Sequence, residues 1–159
     1  MAAKKKTKKG AKRAVRPIPR GYHAVTSVMN QADAKATIAF CKKAFGAKLR
    51  MSMPGPGGKL MHAEIEIGDS VVMVSDAVQE PAHISRIFLY VPKVDKTIAK
   101  AVKAGATILS PTVDMFWGDR FGRVTDPFGN IWAIATHVEN VSPAETKKRA
   151  KAFAKQMKK

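Results

Sequence analysis

The stretch Gly129–Ala133 (GNIWA) matches an earlier stretch, Gly68–Val72 (GDSVV), at a constant offset along the chain. In both, a glycine-containing turn leads directly into residues with strand character. The ends of two preceding helical patterns match as well, with FGA at Phe45–Ala47 and AGA at Ala104–Ala106. Two such matches in the same order along the chain predict a duplicated supersecondary unit.

The first unit contains one strand, one helix and three further strands. Asp33 is a capping residue for a helix in which Ala34, Ile38, Cys41 and Phe45 recur at helical spacing, and Gly46 ends it. Gly68-Asp69 has the form of a two-residue hairpin turn. The predicted strands are 23–29, 48–53, 59–67 and 70–76, with a loop at 54–58.

The second unit repeats this order after a short linker, Val78–Ser85. A helix runs from Asp95 to Gly105, and strands are predicted at 86–91, 106–113, 122–125 and 131–137. The sequence therefore predicts an α+β fold of two tandem βαβββ modules, 21–77 and 85–141, in one domain 21–141.

Both ends of the chain are basic. Residues 1–20 contain nine Lys or Arg and no acidic residue, and a segment with so few large apolar side chains is predicted to be disordered. Ser142-Pro143-Ala144-Glu145 forms a capping box with proline at the first helical position, so residues 142–159 are predicted to be a basic C-terminal helix.

The net charge of +17 comes almost entirely from these ends, because 21–142 holds 13 basic and 11 acidic residues. A nearly neutral centre is not typical of a DNA-binding fold. Two interpretations of the ends stay open: they keep the protein soluble, or they attract nucleic acid nonspecifically. Residues 1–20 contain no aromatic side chain for base stacking, so any such binding there is electrostatic.

Cys41 is the only cysteine, so we expect no internal disulfide and a reducing compartment. No apolar run follows the basic N-terminus, and none reaches the length of a membrane-spanning helix. We therefore expect a cytoplasmic protein with no membrane partner.

The two units, their helix ends and Asp126–Asn130 (DPFGN) resemble the vicinal-oxygen-chelate superfamily, which includes glyoxalases, bleomycin-resistance proteins and extradiol dioxygenases. The resemblance covers residues 21–141. Within it, the stretches Met53–Lys59, His62–Ser70 and Phe116–Arg120 resemble the PhnB-like branch. The resemblance implies curved mixed sheets around a cavity, and a homodimer.

The resemblance also implies that metal-dependent relatives carry His, Glu or Gln ligands on cavity-facing strands. The corresponding positions here hold Thr26, Arg86, Ala133 and Val72 (or Met73, if the turn is counted differently). None is a good metal ligand, and the histidines show no paired spacing. We therefore expect no metal cofactor, with a divalent metal at displaced ligands as the alternative.

Alternation along the fifth strand groups Arg86 with Phe88 and Tyr90. If these side chains face the cavity, together they form a clamp for an anionic, partly aromatic ligand. The alternative is that Arg86 pairs with an acid at the sheet end.

Trp117, Asp119 and Arg120 fall in the predicted loop before the seventh strand. In the functional interpretation, Trp117 forms part of the cavity wall, while Asp119 and Arg120 orient the ligand. The alternative is a structural Asp–Arg pair that pins the loop.

His62 and Glu64 share a strand face and form a candidate acid–base pair. The hairpin turn pairs Glu64 with Met73 and Ile65 with Val72, so the pair faces away from the cavity if Val72 faces inward. If Met73 is the inward residue, the pair faces the cavity. His137 shares parity with Ala133 and is a third acid–base candidate.

Three functions remain open. The first is a binding protein for a small anionic or aromatic molecule, lacking the usual metal site. The second is a metal-dependent lyase, isomerase or dioxygenase in which His62, Glu64 or His137 converge. The third is a polyanion-associated protein that uses its basic ends. The sequence does not decide whether the protein is an enzyme.

Overall fold

The computed structural model describes residues 15–156. The first module contains β1 (Ser27–Gln31), α1 (Ala34–Phe45), β2 (Lys48–Pro54), β3 (Leu60–Ile67) and β4 (Ser70–Asp76). The second contains β5 (Arg86–Tyr90), α2 (Val94–Lys103), β6 (Thr107–Asp114), β7 (Asp119–Thr125) and β8 (Ile131–His137), and α3 (Pro143–Gln156) follows. The predicted α+β fold of two βαβββ modules with a C-terminal helix is confirmed.

The predicted disorder of residues 1–20 concerns mostly residues 1–14, which lie outside the described part of the chain. Residues 15–20 are exposed and form neither helix nor strand. In the described chain, no helix is both long and apolar enough to cross a lipid bilayer.

Each module forms a four-stranded mixed sheet. Sheet 1 has the order β1-β4-β3-β2 and sheet 2 the order β5-β8-β7-β6, with a parallel pair at one edge of each. The turn at Gly68-Asp69 pairs Ile67 with Ser70 and Glu64 with Met73, which confirms the predicted hairpin register.

The two helices lie against each other, and each covers one face of the sheet of its own module. Their apolar stripes and the covered sheet faces form a single core that includes Met29, Ile65, Val74 and Ile134. Phe45 of α1 reaches Trp132 of β8, with 4.5 Å between the ring centroids. Cys41 lies in this core as expected, and burial raises the pKa of its thiol to about 12.

The second face of each sheet points away from the helix pair. We call these the open face of sheet 1 (Val28, His62, Glu64, Met73) and the open face of sheet 2 (Phe88, Tyr90, Phe121, Ala133), because strand alternation and register group these side chains. A cavity beside the open face of sheet 1 is lined by the first module and the linker, and no described residue of sheet 2 lines it.

The constant sequence offset between the modules is wrong by one residue. The backbone N–H of Ala34 donates to Asp76 Oδ1 at 2.9 Å, and that of Val94 donates to Thr136 Oγ1 at 2.8 Å. Ala34 and Val94 are equivalent in the two modules, as are Asp76 and Thr136, and the offset within each pair is one residue shorter than the offset from Gly68 to Gly129. The counterpart of Ala133 is therefore Met73, and Val72 lies in the core.

Candidate functional site

The open face of sheet 2 carries exposed aromatic side chains on β5. Ile87 and Leu89 pack against the core, so alternation turns Arg86, Phe88 and Tyr90 to the other side. Phe88 is 50% and Tyr90 60% exposed. The predicted grouping of these three residues on one face is what the structure shows.

Small residues of the neighbouring strand β8 lie beneath these rings, and Ala135 is fully buried there. Ala133 is paired with Phe88 and Ala135 with Tyr90. On the far side of β8, Phe121 is paired with Ala135 and Arg123 with Ala133. The ring of Phe88 lies 5.0 Å from that of Tyr90 and 5.7 Å from that of Phe121, between centroids.

Phe121 and Arg123 were missed by the sequence reasoning. The seventh strand was predicted to begin at Gly122, whereas β7 begins at Asp119, so Asp119, Arg120 and Phe121 belong to a strand and not to a loop. Alternation away from the buried Val124 would have assigned Arg123 to the open face.

Asp119 is a buried carboxylate at the start of β7 that receives three side-chain donors. His137 Nδ1 lies 2.8 Å from Oδ1, while Tyr90 OH at 2.8 Å and Trp117 Nε1 at 2.9 Å donate to Oδ2. Burial alone would raise the pKa of Asp119, but these donors, His137 first, hold it below its ordinary value. The structure thus joins four of the predicted site residues through one carboxylate.

Gly118 is required for this arrangement. It has a φ of 100°, and a Cβ added there would collide with the carbonyl oxygen of Glu139. The carbonyl of Gly118 accepts from the N–H groups of Val138 and Glu139 at 2.9 and 3.0 Å. Only glycine allows this close approach, which brings Trp117 to the end of β8.

His137 stands half exposed at the rim of the same face. Its Nε2 lies 3.0 Å from Asn140 Oδ1, so both ring nitrogens face acceptor oxygens. The hydrogen bond to Asp119, and then that to Asn140, raises the pKa of His137 above its ordinary value. The arrangement favours a charged imidazolium. Asn140 was not predicted, because an asparagine in a connecting segment carries no sequence signal of this contact.

Arg120 lies on the opposite side of sheet 2 from this cluster. Its Nε and Nη2 donate to the carboxylate of Asp95 on α2 at 2.8 and 3.1 Å, and Nη1 donates to Asp114 at 3.0 Å. The structure therefore separates Arg120 from the other predicted ligand-binding residues. Arg120 therefore forms a structural pair with Asp95 and with Asp114, and not with the neighbouring Asp119.

The open face of sheet 1 carries His62 and Glu64. Val72 is in the core and Met73 is on the open face, so the interpretation in which Val72 faces the ligand cavity is wrong. Glu64 Oε1 lies 3.4 Å from His62 Nε2, and Oε2 lies 4.0 Å from Arg50 Nη1. The hydroxyl of Tyr22 is the main cause that lowers the pKa of the Glu64 carboxyl.

A cavity of about 710 Å³ opens beside this face. The linker, which the sequence predicts to be a plain connection, forms one wall of this cavity. Asn30 holds the linker in place, because its Nδ2 donates to the carbonyls of Glu80 and Pro81 at 3.1 and 3.2 Å. The lining includes Val28, Asn30, Met61, Ser75, Val78 and His83.

The residues at the metal-ligand positions do not fit a metal. Two of these residues, Thr26 and Met73, lie on the sheet 1 side, and two, Arg86 and Ala133, lie on sheet 2. The Oγ1 of Thr26 donates to the carbonyl of His23 at 3.2 Å. A hydroxyl, a thioether, a guanidinium and a methyl group make no ligand set for a catalytic divalent ion. Between residues 15 and 156, no three His, Cys, Asp or Glu side chains converge.

Relatives of known sequence lead to one family. A profile of the Glyoxalase/Bleomycin resistance protein/Dioxygenase superfamily matches residues 23–134. An uncharacterized protein of Mycobacterium bovis is 38% identical over 125 residues, covering 71% of this chain and 82% of the relative. An uncharacterized protein of Mycobacterium tuberculosis strain H37Rv is also 38% identical over 125 residues, and the match covers 71% of this chain and 74% of that relative.

Solved structures share the fold. TioX from Micromonospora sp. ML1 has a TM-score of 0.62 at 24% identity, covering 71% of this chain and 97% of TioX. A glyoxalase/bleomycin resistance protein/dioxygenase family enzyme from Burkholderia phytofirmans has a TM-score of 0.57 at 20% identity, covering 74% and 98%. At these identities the likeness concerns the fold alone. Because the matched profile runs from just before β1 into β8, the chain belongs to the glyoxalase/bleomycin resistance protein/dioxygenase superfamily.

Proposed function

We propose that this protein binds a small, planar, anionic molecule on the open face of sheet 2 without a resident metal. The observation that carries the proposal is the exposure of Phe88 and Tyr90 on the described surface, side by side on one strand. Aromatic side chains held open to water on a rigid sheet indicate a binding surface.

The charges on this face favour an anion. Arg86 and Arg123 are exposed and share the face with the rings, and His137 stands at its rim. The one acid of the cluster, Asp119, is buried and has all its donors within the protein. A flat ring with a carboxylate or sulfonate therefore matches both the exposed aromatic rings and the cationic edge of this face.

A second copy of this chain is the proposed cover for the face, as in a homodimer of the PhnB-like branch. The three stretches that resemble that branch support this assignment. The open face of sheet 1 supplies apolar side chains, Val28 and Met53 among them, that are about half exposed in the single chain. Sheet 1 of one copy facing sheet 2 of the other would enclose the bound molecule between the two sets of side chains.

The test is a calorimetric titration with 2-naphthalenesulfonate, a flat aromatic anion with no proton to lose near neutral pH. We expect saturable binding that weakens about tenfold in Phe88→Ala, because a lost aromatic contact and its buried area are worth roughly one to two kcal/mol. Phe128→Ala is the matched control, since Phe128 is a partly exposed ring in the turn after β7.

Equal loss in both variants, or no binding by the natural sequence, would contradict the proposal. Repeating the titration in chelator and then with added Zn²⁺, Mn²⁺ or Ni²⁺ separates it from the metal-dependent alternative. Binding that requires one of these ions would favour an enzyme with displaced ligands.

A further inference from the structure

We infer that His137 is the direct receptor for the ligand's anionic group and that it makes binding on the sheet 2 face dependent on pH. The inference rests on the proposed function and adds the residue that contacts the negative charge of the ligand. When the ligand binds, the Nε2–H of His137 exchanges its bond to Asn140 for a bond to a ligand oxygen.

The position of His137 fits this role. It follows Ala135 by two residues on β8, so both side chains lie on the open face about 7 Å apart along the strand. Tyr90 OH and His137 Nδ1 both bond the carboxylate of Asp119, each at 2.8 Å, so a ring stacked on the exposed side of Tyr90 would direct a carboxylate or sulfonate toward the imidazole.

The orientation of the imidazole is fixed from behind. Asp119 is buried and holds Nδ1 at 2.8 Å, and it is itself fixed by Tyr90 and Trp117. A carboxylate behind the ring keeps Nδ1–H as a donor and directs Nε2–H outward. His137 is therefore arranged to present a positive charge and a single donor to the surface.

The present acceptor of that donor is replaceable. Asn140 is exposed, and its neutral amide oxygen is 3.0 Å from Nε2. An anionic oxygen is a stronger acceptor from a charged donor than an amide oxygen is. A bound anion would therefore displace the amide of Asn140 and leave the bond to Asp119 intact.

The titratable and charged groups around His137 leave its own protonation as the one that changes near neutral pH. Asp119 faces it from β7, Tyr90 stands beside Asp119 on β5, and Asn140 faces it from the segment before α3. Glu139 is the other acid in that segment, and both its oxygens are held by Arg149 at 2.8 Å. Among these described groups, His137 is the one with an ordinary pKa near neutrality.

The sign of the pH dependence follows directly. Because Asp119 raises the pKa of His137, the imidazolium persists from acidic pH up to that raised value, and affinity for the anion stays constant there. Above it the charge is lost, and affinity falls by up to tenfold for each pH unit.

The experiment is a titration of the full chain with 2-naphthalenesulfonate between about pH 5.5 and pH 9. We expect affinity to fall on the alkaline side in the natural sequence and in His23→Gln, an exposed histidine beside Asp69. His137→Gln keeps a donor for Asp119 but no charge. It should bind at least about tenfold more weakly at pH 6 and show no alkaline fall.

Asn140→Ala supplies a second, independent measurement, since the change removes an exposed competitor. Binding should tighten about two- to tenfold at pH 6. The pKa of His137, followed by NMR of its ring nitrogens, should rise further when the probe is added.

Either of two results would overturn the inference: a pH profile unchanged in His137→Gln, or an affinity that drops in Asn140→Ala. If Phe88→Ala still weakens binding in that case, the proposed function stands without His137 as its receptor. If no variant or pH binds the probe, both fail.

Discussion

Asp126 opens the turn between β7 and β8 and fastens that turn to the core. Its buried carboxylate accepts the backbone N–H groups of Phe128 and Asn130, both at 2.9 Å, together with Asn130 Nδ2 at 2.9 Å and Trp132 Nε1 at 3.0 Å. Asn130 Nδ2 also donates to Gln31 at the end of β1, at 2.8 Å. The Asp126 carboxylate therefore links the turn to the core tryptophan, and Asn130, which it holds, links the turn to the first module.

Asp126→Asn should destabilise the protein by about 2–4 kcal/mol, since an amide NH₂ would replace one oxygen and face donors in a buried place. Urea unfolding followed by the fluorescence of the two tryptophans measures this. Asp69→Asn is the control, because Asp69 is 89% exposed and should change stability by less than about 0.5 kcal/mol. Similar midpoints for the two variants would show that the turn carboxylate has no structural role.

At the scale of elements, each helix is capped by a side chain from the last strand of its own module. Asp76 of β4 accepts from Ala34 at the start of α1, and Thr136 of β8 accepts from Val94 at the start of α2. The helices differ in their own caps. Asp33 accepts from Ala36, whereas Lys93 before α2 makes no side-chain cap. α2 therefore depends on Thr136 more than α1 depends on Asp76.

Thr136→Val should cost about 1–2 kcal/mol, because it removes the acceptor for Val94 and a donor to the Val91 carbonyl at 2.7 Å. Thr107→Val, on the exposed edge strand β6, controls for the change in side-chain type and should be neutral within about 0.5 kcal/mol. Amide hydrogen exchange should be faster in the first turn of α2 in Thr136→Val. Unchanged exchange there would contradict the assigned cap.

The elements predicted best from sequence are those whose signals are local. β4 and β8 have the predicted bounds, and the Gly68-Asp69 register is confirmed, because the turns before these strands specify where they begin and how they pair. β1 lies at 27–31 and not at 23–29. Its polar Asn30 and Gln31 are buried only through contacts with the linker and with Asn130, which lie far away in sequence.

The start of β7 was missed for the same reason. Asp119 has the local pattern of a loop acid, and its burial follows from donors on β5, on β8 and in the preceding turn. The sequence assigned Tyr90, Trp117, Asp119 and His137 to a candidate list. Trp117 is two residues from Asp119, but Tyr90 and His137 are 29 and 18 residues away along the chain, so their convergence on Asp119 is a tertiary property.

At the scale of the molecule, two uncovered sheet faces with apolar side chains predict self-association. We expect sedimentation of the natural sequence to give the mass of two chains. Met53→Glu, on the open face of sheet 1, should shift that mass toward one chain, because burying an unpaired charge at such an interface is costly. The matched control is Val102→Glu on the exposed side of α2, which is similarly exposed in the single chain. A mass of one chain for the natural sequence, or equal effects of both variants, would contradict the proposed dimer.

The helix pair between two outward-facing sheets also has an evolutionary consequence. Side chains that hold the chain folded lie on one side of each sheet, and side chains available for recognition lie on the other, in alternation along the same strands. A substitution at Phe88 or Ala133 can alter what is recognised while the neighbouring Leu89 and Ile134 keep their partners. Descendants of such a chain can therefore acquire new specificities by drift on one side of the sheet, without first gaining stability on the other.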